Sequence, residues 1–292
     1  MSNKLRKMTL EKKHNLTGWA FLAPATFLIA VFSFWPMIKA LVLSFQTGKG
    51  RNMQMAGFTN YIRMFQDDVF IQSIKNTFFY FILQVPIMLV VAMVLACILN
   101  KKDLRFKGFF RTMIFVPCTT SLVAYSIIFR SLFANNGLVN YGILDKPYNF
   151  LTQPFAAKIV IILALLWRWT GYNMVFFLSG LQNIEYSVYE AAKIDGASAI
   201  QTFFKITVPL LKPTILLTAI MSTNGTLQLF DESINLTDGG PANASISMSH
   251  YIYNLCFKYV PNFGYAAAMS FFILLLVAVL AFIQMRVGDK RD

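Results

Sequence analysis

Apolar and polar positions alternate along this chain in long blocks rather than residue by residue. Six mostly apolar blocks, at roughly 18–45, 71–99, 110–133, 156–181, 213–234 and 263–285, are separated by polar stretches. About twenty apolar residues wound as an α-helix cross the roughly 30 Å hydrocarbon core of a bilayer. The pattern therefore predicts an all-α integral membrane protein with six transmembrane helices. Pro24, Pro36, Pro86 and Pro117 fall in or near these spans and mark expected kinks. The basic start and the triplet Ala23-Pro24-Ala25 imitate a secretory signal. The apolar run continues well past that triplet, so span one reads as an uncleaved anchor. The expected organisation is a basic tail over 1–17, a six-span domain over 18–285 with a polar loop at 182–212, and a charged tail over 286–292.

The interruption between spans four and five carries the most local information. Residues 184–213 read IEYSVYEAAKIDGASAIQTFFKITVPLLKP. Ser187 and Glu190 have capping-box spacing, and Ser198 and Gln201 repeat it. Two short helices are predicted, with Gly196 ending the first because glycine enters the left-handed conformation freely. Ile200, Phe203, Phe204 and Val208 share one face of the second, and Pro209 and Pro213 close it.

Composition agrees with a membrane setting. The chain is 57% hydrophobic and only 13% charged, about half the charge of an average soluble domain, and its mean hydropathy is +0.56. The net charge of +13 would suggest nucleic acid in a soluble protein, but its distribution does not. Sixteen of the 26 Lys and Arg fall in the two tails and in the stretches around 100–111 and 182–212. About seven lie in or beside the other three loops. That asymmetry follows the positive-inside rule and places both termini and the 182–212 loop in the cytoplasm. Cys97, Cys118 and Cys256 are scattered, and His14 and His250 are isolated, so neither a metal site nor a disulfide framework is expected. No G-x-x-x-x-G-K-[ST] loop occurs, so ATP binding through that motif is excluded for this chain.

Some in-span residues are candidates for chemistry. Ser222, Thr223, Asn224, Gly225 and Thr226 are small or polar at membrane depth. They suit either helix–helix contact or a polar path for a hydroxylated solute. Arg168, in the stretch RWTGYN with Thr170, Gly171 and Asn173, is a lone cation costing at least about 2.5–3.5 kcal/mol at mid-membrane. It should face the protein interior. Asp231 and Glu232 are the nearby carboxylates for an ion pair, and a role in a solute path or gate is the sharper alternative.

The pattern EAAKIDGASAIQTFFKITVPLLKP resembles the EAA loop of permease subunits in binding-protein-dependent ABC importers, over more than twenty residues. The resemblance implies the type I importer permease fold and a cytoplasmic coupling helix. It implies that Glu190, Ala191, Ala192, Asp195, Gly196 and Ala197 dock into a separate ATPase. FDESINLTDGGPA, with HYIYNLCF and FGYAAAMS beyond it, is similar to the carbohydrate branch. By position in the maltose-type relative, Cys118, Thr170, Gly171, Ser222 and Thr226 fall on substrate contacts, and Arg168, Asn173 and Asn224 complete the candidate pathway. The chain departs from that relative at Cys118 (tyrosine-like there) and at Thr226 and Leu229 (asparagines there). The same cavity is implied without the same sugar.

What the resemblance implies is a subunit rather than an enzyme. A second related permease, two ATPase subunits that bind the ATP and magnesium, and an extracellular solute-binding protein would complete it in a bacterial or archaeal cell membrane. No cofactor is expected in this chain. An importer of glycerol-phosphate-type solutes is the alternative within the class. A lipid-modifying membrane enzyme would need clustered acids, histidines or a nucleophile–base pair. A channel or secondary transporter would function without the loop.

Overall fold

The computed structural model describes residues 10–49, 52–101, 103–144 and 148–288. Most basic residues of the 1–17 tail, Lys102, and residues 289–292 lie outside the described residues. Four helices are long and apolar enough to cross a membrane: His14–Ser44, Asp68–Asn100, Pro154–Gln182 and Phe263–Gly288. Two bent pairs bring the number to six when each counts as one span.

Both bent pairs depart from the expected spans in an informative way. Span three is Lys107–Thr119 followed by Leu122–Leu132, turned by 98°. Pro117 lies in the last turn of the first piece. By contrast, Pro86 sits inside the uninterrupted Asp68–Asn100 helix. Span five is shorter than the apolar block suggested. Ala199–Leu210 meets Lys212–Leu227 at 70°, and Asp231–Thr237 forms a separate short helix. The block 213–234 was thus two elements, because residues 228–230 break the helix while remaining apolar or amide in character.

Spans two and four form the central pair. Ala92, Met93 and Ala96 of one pack on Met174, Phe177 and Leu178 of the other, with Leu211 closing the cluster. Span three leans on span four at Gly171. A Cβ placed there would meet the Ile114 carbonyl oxygen, with the Ile114 carbonyl carbon at 2.7 Å. Only glycine allows the two backbones this approach. Span one is different: apart from Ser44, none of its residues from His14 onward is buried. A π-turn at Ala30–Phe34 interrupts it, followed by Pro36.

The two ends of the bundle differ. At one end, a cleft of about 750 Å³ lies between the turn at Asn100–Leu104 and the helices of the 184–207 stretch. At the other, a two-stranded hairpin pairs Gln46–Lys49 with Asn52–Met55. The helix Thr59–Met64 follows it. Asp67 then caps span two by accepting from the Val69 and Phe70 amides. It also accepts from the hydroxyls of Tyr251 and Tyr265, both at 2.7 Å.

The stretch 235–262, expected as a polar loop, is largely a folded plug on that second end. Met248–Tyr253 is helical, and Ser245, Ser247 and His250 are fully or almost fully buried. Span two reaches into the plug. Asn76 donates to the carbonyls of Asn243 (3.1 Å) and Ile246 (2.9 Å), and Tyr80 donates to that of Ser245 (2.9 Å). Buried carbonyls need such donors, which explains why polar sequence lies inside. His250 Nδ1 sits 2.9 Å from the Ser233 hydroxyl and Nε2 3.7 Å from Asp238. Burial pushes its imidazole down to about 4, against the pull of Asp238.

Two outcomes follow. Gly171→Ala should destabilise the purified protein by about 1–3 kcal/mol through overpacking, although alanine is the better helix former by about 1 kcal/mol; thermal melting in detergent reads this directly. For His250, the unfolded chain takes up the proton near pH 6.5 and the folded chain only near 4. Stability is therefore full above pH 6.5 and falls as pH drops towards 4, by at most about 1.4 kcal/mol per unit. Melting curves of His250→Asn over the same range should show a shallower decline than wild type.

Candidate functional site

A cavity of about 300 Å³ opens between spans two, four and five and the helix Asp231–Thr237. Its lining combines Trp169, Tyr172 and Asn173 from span four with Gln84 and Met88 from span two. Span five and the turn after it add Ser222, Gly225, Thr226 and Gln228, and Asp231 and Glu232 close one side. Ser222, Gly225 and Thr226 are spaced at i, i+3, i+4, so they lie on one helix face.

Direct hydrogen bonds across the helices hold this lining in place. The Thr226 hydroxyl donates to Gln84 Oε1 at 2.8 Å. The Ser222 hydroxyl donates to Asn173 Oδ1 at 3.3 Å. Asn173 Nδ2 in turn donates to the Trp169 carbonyl at 3.0 Å. On another face of span five, Gln284 of span six donates to Thr223 at 2.7 Å. The polar residues of span five therefore make the interhelix contacts that the sequence allowed, and Ser222 and Thr226 also line the cavity.

Arg168 is 6% exposed and does not line the cavity. Its Nη1 donates to the Thr120 carbonyl at 2.6 Å, where span three is broken. A cation there meets the negative end of the Lys107–Thr119 helix. The expected ion pair with Asp231 or Glu232 is not formed: no carboxylate lies within 4.0 Å of Arg168 among the described residues. Instead the guanidinium carbon lies 4.8 Å from the centre of the Tyr125 ring, and the Tyr125 hydroxyl donates to Glu232. The buried cation and the buried carboxylate meet through one tyrosine.

Of the predicted pathway residues, Asn173, Ser222 and Thr226 come together at the cavity. Thr170 is buried but does not line the cavity, and Gly171 faces Ile114. Cys118 lies one turn before the break in span three. Asn224 and Gln228 face a second groove, with Ser249 and Ser270, between spans five and six. Gln84, Trp169, Tyr172 and Gln228 were not singled out from the sequence. A lone amide in the apolar run of span two was the signal available for Gln84.

The 182–212 loop keeps its two-helix form with one change. The second capping box is present, with Gln201 Oε1 accepting from the Ser198 amide at 2.8 Å and Ser198 Oγ accepting from the Gln201 amide at 3.2 Å. The first box is not. Helix Tyr186–Ile194 starts with Glu185 at its cap, so Ser187 falls inside the first turn and its hydroxyl turns to Glu185 at 3.3 Å. Gly196 has φ +76°. The Ala197 amide reaches back to Ala192 and the Gly196 amide to Lys193, which is the Schellman closure. Ala192 is buried, while Glu190, Ala191, Asp195 and Gly196 are exposed and Ala197 is half-buried. Ile194 (85%), Ile200 (71%) and Phe204 (65%) are strongly exposed, whereas Phe203 and Val208 turn inward to the core. The predicted apolar face is thus split between the bundle and the outside.

This geometry has known counterparts. The chain is 50% identical to the lactose transport system permease protein LacF of Rhizobium radiobacter, over 98% of each chain. It is 33% identical to the multiple sugar-binding transport system permease protein MsmF of Streptococcus mutans, covering 97% of this chain and 99% of that one. In three dimensions it resembles a chain of a bacterial ABC transporter involved in import of the acidic polysaccharide alginate, with a TM-score of 0.85 at 23% identity, over 97% and 98% of the two chains. That likeness establishes the type I importer permease fold. A family model described as binding-protein-dependent transport system inner membrane component matches residues 69–291. With its apolar spans, its capped two-helix loop and this match, the chain belongs to that family of multi-pass permease subunits of ABC importers.

Proposed function

We propose that this subunit forms, with a second related permease, the pathway for a neutral di- or oligosaccharide delivered by an extracellular binding protein. The cavity lining carries the reading. It offers amides, hydroxyls and carboxylates for sugar hydroxyls, and Trp169 and Tyr172 as apolar surfaces for sugar-ring faces. No Lys or Arg is among its lining residues. A phosphate ester would face Asp231 and Glu232 without a compensating cation, since Arg168 is committed to Thr120. The glycerol-phosphate alternative is disfavoured on that ground. The names of the relatives, lactose in one and multiple sugars in another, point the same way.

The loop at 182–212 is the attachment point for a separate ATPase on the cytoplasmic side, together with both termini. ATP and magnesium are held by that partner. Exposed Ile194, Ile200 and Phe204 supply apolar area, and Glu190 and Asp195 can meet basic groups. Closure of the ATPase pair moves the docked loops together, and rigid-body motion of the spans changes which side the cavity faces.

In proteoliposomes holding the whole transporter, lactose uptake should be blocked by excess unlabelled neutral disaccharide and unaffected by glycerol 3-phosphate. Competition by the phosphate ester alone would reverse the assignment. At Gly196 a Cβ meets nothing within 4 Å, so substitution costs only the left-handed backbone, about 1–2 kcal/mol. Gly196→Val should therefore insert normally but lose most of the ATPase stimulation caused by loaded binding protein. Gly196→Asn should retain more of it, because asparagine visits that conformation.

A further inference from the structure

We propose that Glu232 is the solute-selecting carboxylate of the cavity, held in place by Tyr125 and balanced by Arg168 through the tyrosine ring. The proposal rests on the sugar reading above and names the group that recognises the hydroxyls. Glu232 lines the cavity yet is only 4% exposed. A carboxylate taken out of water is costly unless it is hydrogen-bonded or paired. Here no cation pairs with it directly among the described residues. Its Oε1 accepts from the Tyr125 hydroxyl, and a carboxylate has about four acceptor positions, so that bond does not exhaust it.

The supporting side chains are fixed from every side. Tyr125 is fully buried and stacks on Trp167 at 6.1 Å between ring centres. Arg168 lies 4.8 Å from its ring centre, anchored by the 2.6 Å bond to Thr120. This arrangement differs from a structural ion pair. A direct Arg–Glu contact would consume the carboxylate, whereas the interposed tyrosine keeps the positive charge near and the acceptor positions open. A neutral polyol donates hydrogen bonds to such a group, and an anion is repelled by it. Glutamine in its place would preserve the bond from Tyr125, so the packing survives and only the charge is lost.

The test uses the complete transporter arrested with a non-hydrolysable ATP analogue, and measures retained radiolabelled lactose alongside thermal melting. Wild type should retain the sugar. Glu232→Gln should melt like wild type but retain at least tenfold less, the loss expected for a charge-assisted hydrogen bond becoming neutral. Tyr125→Phe, which leaves the carboxylate unheld, should fall between them. Wild-type retention in a stable Glu232→Gln transporter would overturn the role of Glu232 while leaving sugar import standing. If Glu232→Gln fails to assemble, unchanged retention in Tyr125→Phe overturns the proposal, and a loss of threefold or more sustains it. Wild-type protein that retains no neutral saccharide, and takes none up, defeats the sugar reading and this proposal together.

Discussion

Inside a bilayer, helices gain almost nothing by hiding apolar side chains from one another, because lipid is equally apolar. What holds spans together is close backbone approach and hydrogen bonds that lipid cannot replace. Spans two, four and five are tied by Gln84–Thr226 and Asn173–Ser222, and span six joins through Gln284–Thr223. The first two of these bonds also build the cavity wall. Cohesion and the cavity lining therefore draw on the same few side chains, which limits how far the lining can change without loosening the bundle.

The same constraint explains the broken third span. Unwinding at Thr120 and Ser121 frees backbone groups that cannot be left bare in hydrocarbon. Pro117 accepts from the Thr120 amide, the Thr119 and Thr120 hydroxyls bond back to Val116, and Arg168 takes the Thr120 carbonyl. The break thus defines a place for a buried cation, whose guanidinium lies 4.8 Å from the centre of the Tyr125 ring. A charge that looks expensive in the sequence is part of how the interruption is tolerated.

The two ends of the bundle are built for different tasks. One is locked by Asp67, Asn76 and Tyr80 against the folded 235–262 stretch. The other projects a capped helix pair whose apolar side chains Ile194, Ile200 and Phe204 are strongly exposed. One end is thus closed by hydrogen-bonded packing, and the other leaves apolar side chains exposed.

Several features were set by the chain's own pattern. Long apolar blocks oblige helices, because unpaired backbone is not tolerated in lipid. Ser198, Gln201 and Gly196 act over three or four residues, so their caps could be read locally. Ser187 shows the limit of that logic: the same spacing was defeated when the preceding chain started the helix two residues earlier, at Glu185. Only the tertiary structure decided which polar residues meet. Ser222 and Asn224 are two positions apart yet face different spaces. Gly171 and Asn173 are likewise neighbours, one against Ile114 and the other on the cavity. Arg168 met a carbonyl and a ring rather than the expected carboxylate. Such outcomes depend on helix rotation and on contacts between residues up to 198 positions apart, which no local spacing encodes.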